Sequence, residues 1–77
     1  MSYVIATKID GVYHFVKPNG EEMRFELVPL KQQGDLYKAF NPPNKTDAVN
    51  VLNWIKNNDD ELAVHDYTIE FQARFQR

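Results

Sequence analysis

Lys8-Ile9-Asp10-Gly11-Val12-Tyr13-His14-Phe15-Val16-Lys17-Pro18-Asn19-Gly20 is the stretch that decides the fold. Asp10-Gly11 separates two runs rich in β-formers. Glycine takes positive φ without steric cost, so this dipeptide signals a two-residue hairpin loop. Residues 3–9 and 12–17 are read as its strands, with Ile9 opposite Val12, Lys8 opposite Tyr13 and Ala6 opposite Phe15. Pro18-Asn19-Gly20 marks a second turn. Residues 21–28 then alternate polar and apolar, as a half-buried strand does, and Pro29 stops them. Two turns between three β-type runs make an antiparallel meander.

Pro18 bears on the second register. A two-residue Asn19-Gly20 loop would ask Pro18 to donate a backbone hydrogen bond that it cannot donate. A three-residue loop with Gly20 left-handed fits better and pairs Lys17 with Glu21, Phe15 with Met23 and Tyr13 with Phe25. One face then carries Val4, Ala6, Tyr13, Phe15, Met23, Phe25 and Leu27. The other carries Ile5, Ile9, Val12 and Val16 beside Thr7, His14, Glu22, Arg24 and Glu26. In the two-residue alternative, Val12, Val16, Ile5 and Ile9 join Met23, Phe25 and Leu27. Tyr13 and Phe15 are then left opposite with Lys8, Lys17 and Arg24, because a one-residue slip moves every side chain to the other face.

Downstream, residues 30–45 read as an irregular loop punctuated by Gly34 and Pro42-Pro43, with Leu36, Tyr37 and Phe40 as its apolar content. A structureless loop of that length is unusual, so these three residues are expected either on the sheet or at a partner. Residues 46–57 form the one clear helix. Thr46 is the expected N-cap, Asp47 suits the positive end of the dipole, and Ala48, Val51, Leu52 and Ile55 make one apolar stripe. Trp54 lies about 100° from the stripe centre at 100° per residue. Asn57-Asn58 is read as a left-handed stop, and Asp59-Asp60-Glu61 as a solvated acidic turn. Residues 64–75 alternate again, with Ile69, Phe71, Ala73 and Phe75 on one side, and form a last strand. The expected fold is α+β, one domain in the order β-β-β-α-β, with one helix packed on one face of a four-stranded sheet.

This pattern has a consequence. Strands one and two are apolar on both faces in either register, while strands three and four are apolar on one, and a single helix covers a single face. Leaving a large apolar side chain wet forgoes ~1.5–3 kcal/mol. An open apolar face therefore points to a partner, unless residues 30–45 close it. The residues expected at such a surface are Val12, Tyr13, Phe15, Val16, Lys17, Arg24, Tyr37, Phe40 and Trp54.

Composition narrows the function. The chain has 77 residues, 43% hydrophobic and 26% charged, with a net charge of −2 and no cysteine. That excludes disulfides and thiolate metal sites, and offers no global basic field for phosphate backbones. The first residues lack the basic segment of a signal peptide, and no run is long enough to span a bilayer, so a cytoplasmic protein is expected. His14 and His65 stand alone, without the ligands that zinc requires. Ser2 is the only serine and sits near a chain end. The carboxylate pairs Glu21-Glu22 and Asp59-Asp60 fall on turns, and no glycine-rich phosphate loop is present. No catalytic residue, metal or cofactor is expected. The best-fitting function is protein binding of the inhibitor or adaptor type, at a size that phages and other mobile elements often encode, with a protein partner or a second copy of the chain. The alternative is single-stranded nucleic acid stacked on Tyr13 and Phe15 beside Lys8, Lys17 and Arg24.

Overall fold

The computed structural model describes residues 2–20 and 22–76. Strands β1 (Tyr3–Ile9), β2 (Val12–Pro18), β3 (Phe25–Pro29) and β4 (Thr68–Phe71) form one antiparallel sheet in the order β3-β2-β1-β4. A short helix, α1 (Gln33–Lys38), and the main helix, α2 (Lys45–Asn58), follow β3, and 3-10 turns at Leu62–Val64 and Gln72–Phe75 flank β4. The fold is α+β, a meander with a fourth strand added at β1 and the main helix on one face.

The first hairpin has the expected register, from Ile9 opposite Val12 to Ala6 opposite Phe15. Asp10 has φ 51° and Gly11 φ 80°, the two positive values of a type I′ turn, whose twist matches that of the strands it joins.

The second hairpin differs from both expected registers. Val16 faces Leu27, Lys17 faces Glu26 and Pro18 faces Phe25. Glu21, expected to open the third strand opposite Lys17, lies outside the described residues. Residues 22–24 stand off the sheet. The Asn19 N–H donates to the Arg24 carbonyl at 2.8 Å, and the Arg24 N–H reaches back to the Glu22 carbonyl at 2.7 Å, a tight turn centred on Met23. Relative to the two-residue reading, strand three has slid by an even number of residues, which keeps Phe25 and Leu27 on the face of Ile5 and Val16. It also puts Val28 opposite Phe15, so β3, like its neighbour β2, is apolar on both sides.

The ladder explains how Pro18 fits a strand with neighbours on both sides. In an antiparallel ladder successive residues address the two neighbouring strands alternately. Ile9 and Val12 close the first hairpin, so even-numbered residues of β2 address β1, and the bond missing at Pro18 belongs to the β1 side. There the two strands have already parted, since their pairing ends at Ala6–Phe15. Residues 40–42 occupy the gap: the Phe40 N–H donates to the Val16 carbonyl at 2.8 Å, and the Tyr3 N–H donates to the Pro42 carbonyl at 3.0 Å. The chain thereby passes from one face of the sheet to the other.

Each face has its own core. On one, Ile5 and Val16 pack with Ala48, Leu52 and Ile55 of α2, joined by Phe25, Leu27, Phe40, Trp54 and Ile69. On the other, Val4, Ala6 and Phe15 pack with Leu36 of α1 and with Ala39, joined by Tyr13, Val28, Leu30 and Phe75. The open face expected from a single helix is therefore closed. Part of residues 30–45 is helical, and the last segment contributes as well. Only Thr68–Phe71 of the expected strand 64–75 pairs into the sheet. The 3-10 turn after it carries Phe75 to the face opposite Ile69, where its ring meets Phe15 at 4.9 Å and Tyr13 at 5.0 Å.

The short helix exists because of Asp35. Its carboxylate accepts the N–H of Gln32, the N-cap residue, at 3.1 Å, a donor that the helix start leaves orphaned, and the N–H of Lys31, the residue before it, at 3.0 Å. The Lys31 bond is the main reason that the Asp35 carboxyl is held below its ordinary value of 3.8, with smaller help from Gln32 and Lys38. A depressed native pKa stabilises the fold above the ordinary value, and that contribution disappears as pH falls through the native one. Asp35→Asn is therefore expected to lower the urea midpoint at neutral pH, and the gap to the parent should close as the solution is acidified below the ordinary carboxylate range. A gap independent of pH would contradict this role.

The main helix starts one residue earlier than expected, capped by Asn44, whose Oδ1 accepts the Asp47 N–H at 2.9 Å; Thr46 lies inside the first turn. Its end is not left-handed. Asn57 and Asn58 stay helical and turn their side-chain amides back to the carbonyls of Asn53 and Trp54.

Candidate functional site

The residues expected at an interface are dispersed by the fold. Phe15 and Val16 are 0% exposed. Tyr13 is half-buried, with Lys8 Nζ 5.2 Å above its ring and the Arg74 guanidinium 5.9 Å away. Lys17 pairs with Glu26 at 3.0 Å, and Val12 stands exposed beside the Asp10-Gly11 turn. Phe40 packs edge-on to Phe25 at 6.2 Å, and Tyr37 is 59% exposed on α1. The stacking platform expected for single-stranded nucleic acid is not formed: a base cannot reach Phe15, and Arg24 belongs to the 19–24 loop, away from the Tyr13 face. His14 Nδ1 lies 2.9 Å from the Val12 carbonyl, and the Thr7 hydroxyl donates to the Asp66 carbonyl. Among the described residues, no group of three His, Asp or Glu could hold a metal ion, and no helix is long and apolar enough to cross a membrane.

Two of the expected residues do come together, Arg24 and Trp54. They line a surface cleft of about 570 Å³ between the 19–24 loop and the end of α2. Three causes build it. The turn centred on Met23 lifts this side chain out of the sheet and leaves it 48% exposed at the cleft. Phe25 opens β3 directly beneath, and its ring meets Trp54 edge-to-face at 5.8 Å. Trp54 is half-buried at the border of the apolar stripe, so it packs on the core and still lines the cleft. Exposed methionine beside aromatic rings is an adaptable apolar surface.

The rim is charged. Glu22, Asp59, Asp60 and Glu61 contribute carboxylates and Arg24 the single guanidinium. Arg24 is 4.0 Å from Glu22 with both side chains largely exposed, a pair of little energetic weight. Asp59 Oδ1 accepts the Leu62 N–H at 3.0 Å, which starts the 3-10 turn after α2. Its field reaches inward: the Tyr67 phenol is pushed up to about 12, first by its own burial and then by the Asp59 charge. The Tyr67 hydroxyl donates to the Leu62 carbonyl at 2.7 Å and holds this corner together.

Met23 and Phe25 did not stand out in the sequence as surface, and the 59–61 turn, read as solvated, did not stand out as part of a site. Met23 and Phe25 read as strand interior because of their alternation. For the acidic turn a signal existed: three carboxylates follow a helix C-terminus, where the dipole favours cations.

Comparison of the chain with protein-family models, curated proteins and solved structures finds no match.

Proposed function

We propose that this chain is a small non-catalytic protein-binding module that takes an extended segment of a partner protein in the Met23–Phe25–Trp54 cleft. The observation that carries the reading is Met23, a large apolar side chain held outward by a tight backbone turn at the edge of a cleft lined by two aromatic rings. Anchors of this kind, an exposed flexible thioether beside Trp, are typical of sites that bind apolar side chains of other proteins. Both sheet faces carry packed cores of the chain's own side chains, and the cleft is a concave surface where exposed Met23 lies with Phe25 and Trp54. An inhibitor or adaptor role fits a domain of this size, and the absence of cysteine suits a reducing compartment such as the cytoplasm.

Panning a random-peptide display library against the protein tests this. The expected peptides carry a shared apolar anchor, and their affinity falls about tenfold or more in Met23→Lys. This exposed substitution should keep stability within about 0.5 kcal/mol of the parent. No enrichment, or peptides that bind Met23→Lys as well as the parent, would overturn the proposal.

A further inference from the structure

We infer that the segment seated in this cleft is cationic, an apolar anchor flanked by arginine. The inference rests on the protein-binding reading above and adds the chemistry of the partner.

Four carboxylates face one guanidinium around an apolar floor. Glu22 stands on the 19–24 loop, and Asp59, Asp60 and Glu61 stand across from it beyond α2, so negative charge flanks the cleft on both sides. The helix adds to this field. Asn58 is its last residue and lines the cleft, so the negative end of the α2 dipole opens into it. Three acidic side chains placed just beyond a helix C-terminus repel that end and one another. The only basic residue of the last turn, Lys56, does not line the cleft. A cation from outside relieves this crowding of like charge, the balance expected where binding and stability compete.

The floor narrows the choice of cation. A guanidinium is planar, stacks on an indole and bonds carboxylates through a fork of donors, whereas an ammonium is a compact, strongly hydrated point charge. Trp54 and Phe25 below and carboxylates at the rim present both elements that arginine uses at once.

The test measures fluorescence anisotropy of labelled octapeptides that alternate leucine with arginine, lysine, glutamine or glutamate. The arginine peptide is expected to bind most tightly, the lysine peptide less so, and the glutamine and glutamate peptides at least about tenfold more weakly. Raising sodium chloride from about 50 to about 500 mM should weaken the arginine peptide by a similar factor, since exposed charges are screened over a few ångströms at high salt. The double variant Asp60→Asn/Glu61→Gln should lose several-fold affinity for the arginine peptide while its thermal midpoint rises by a few degrees. That rise separates lost charge from lost fold.

Equal binding of the glutamine and arginine peptides, or unchanged affinity in the double variant, overturns the inference. If neutral or acidic peptides bind and Met23→Lys abolishes that binding, the cleft remains a protein site and only its proposed charge preference falls. If no peptide responds to Met23→Lys, both readings fall.

Discussion

Phe15→Ala is expected to remove about 3–5 kcal/mol of folding stability. A chain of 77 residues holds roughly 4–12 kcal/mol in total at ~0.05–0.15 kcal/mol per residue, so the variant should be largely unfolded in mild denaturant. Phe15 sits mid-strand on β2, one of the two inner strands, and is 0% exposed. Its ring meets the Phe75 edge and shares a cluster with Val4, Ala6 and Leu36. Alanine would leave a cavity walled by side chains from two strands, α1 and the last turn, and these cannot collapse onto it together. Urea unfolding followed by circular dichroism measures the loss. A loss below about 1 kcal/mol would mean that this face is not closed as described.

Leu36→Ala should have the next largest effect, about 2–5 kcal/mol. Leu36 is 0% exposed and is the buried apolar side chain that α1 sends into the sheet. Six residues cannot hold a helix in water without tertiary contacts, so losing this side chain should loosen α1 and wet the face beneath it. Binding of a hydrophobic dye under native conditions should rise with the fall in urea midpoint. Tyr37→Ala, one residue away but 59% exposed, is the control and should stay within about 0.5 kcal/mol of the parent. Phe15 and Leu36 share a cluster, so the double variant should lose less than the two single losses added together. Strict additivity would place them in separate environments.

The parts of this fold that were legible in the sequence are those where a local rule has one solution. Asp10-Gly11 admits a two-residue loop with both residues at positive φ, and the register of β1 and β2 followed from it. The stripe of Ala48, Leu52 and Ile55 allowed only one face of α2 to be buried. Elsewhere local chemistry had two solutions and distant residues chose between them. Pro18 lacks a bond on one side only, and the sequence alone does not tell which neighbour is on that side. Asn19-Gly20 resembles a hairpin turn, but the pairing that buries Phe25 and Leu27 on one face and Val28 on the other runs through a longer loop. A helix of six residues has no visible periodicity, and what holds it is one carboxylate binding two amides and one buried leucine. Gln72–Phe75 alternates like a strand, yet Phe75 gains more from Phe15 and Tyr13 across the sheet than from continuing the line. The cleft was half legible: Trp54 and Arg24 stood out individually, but only the detached 22–24 turn brings Met23 beside them.

The passage of residues 40–42 between β1 and β2 bears on how the molecule comes apart. The two cores lie on opposite sides of a thin sheet and could in principle melt one after the other. The strap prevents this, because Ala39 belongs to one core and Phe40 to the other, and the strap is tied to β2 through the Phe40 N–H and to β1 through the Pro42 carbonyl. Releasing α1 pulls on Phe40, and releasing α2 pulls on Ala39. A domain with two small hydrophobic layers should therefore lose its structure in a single concerted transition, with the sheet end at Tyr3 and Val16 as the point where failure of either layer reaches the other.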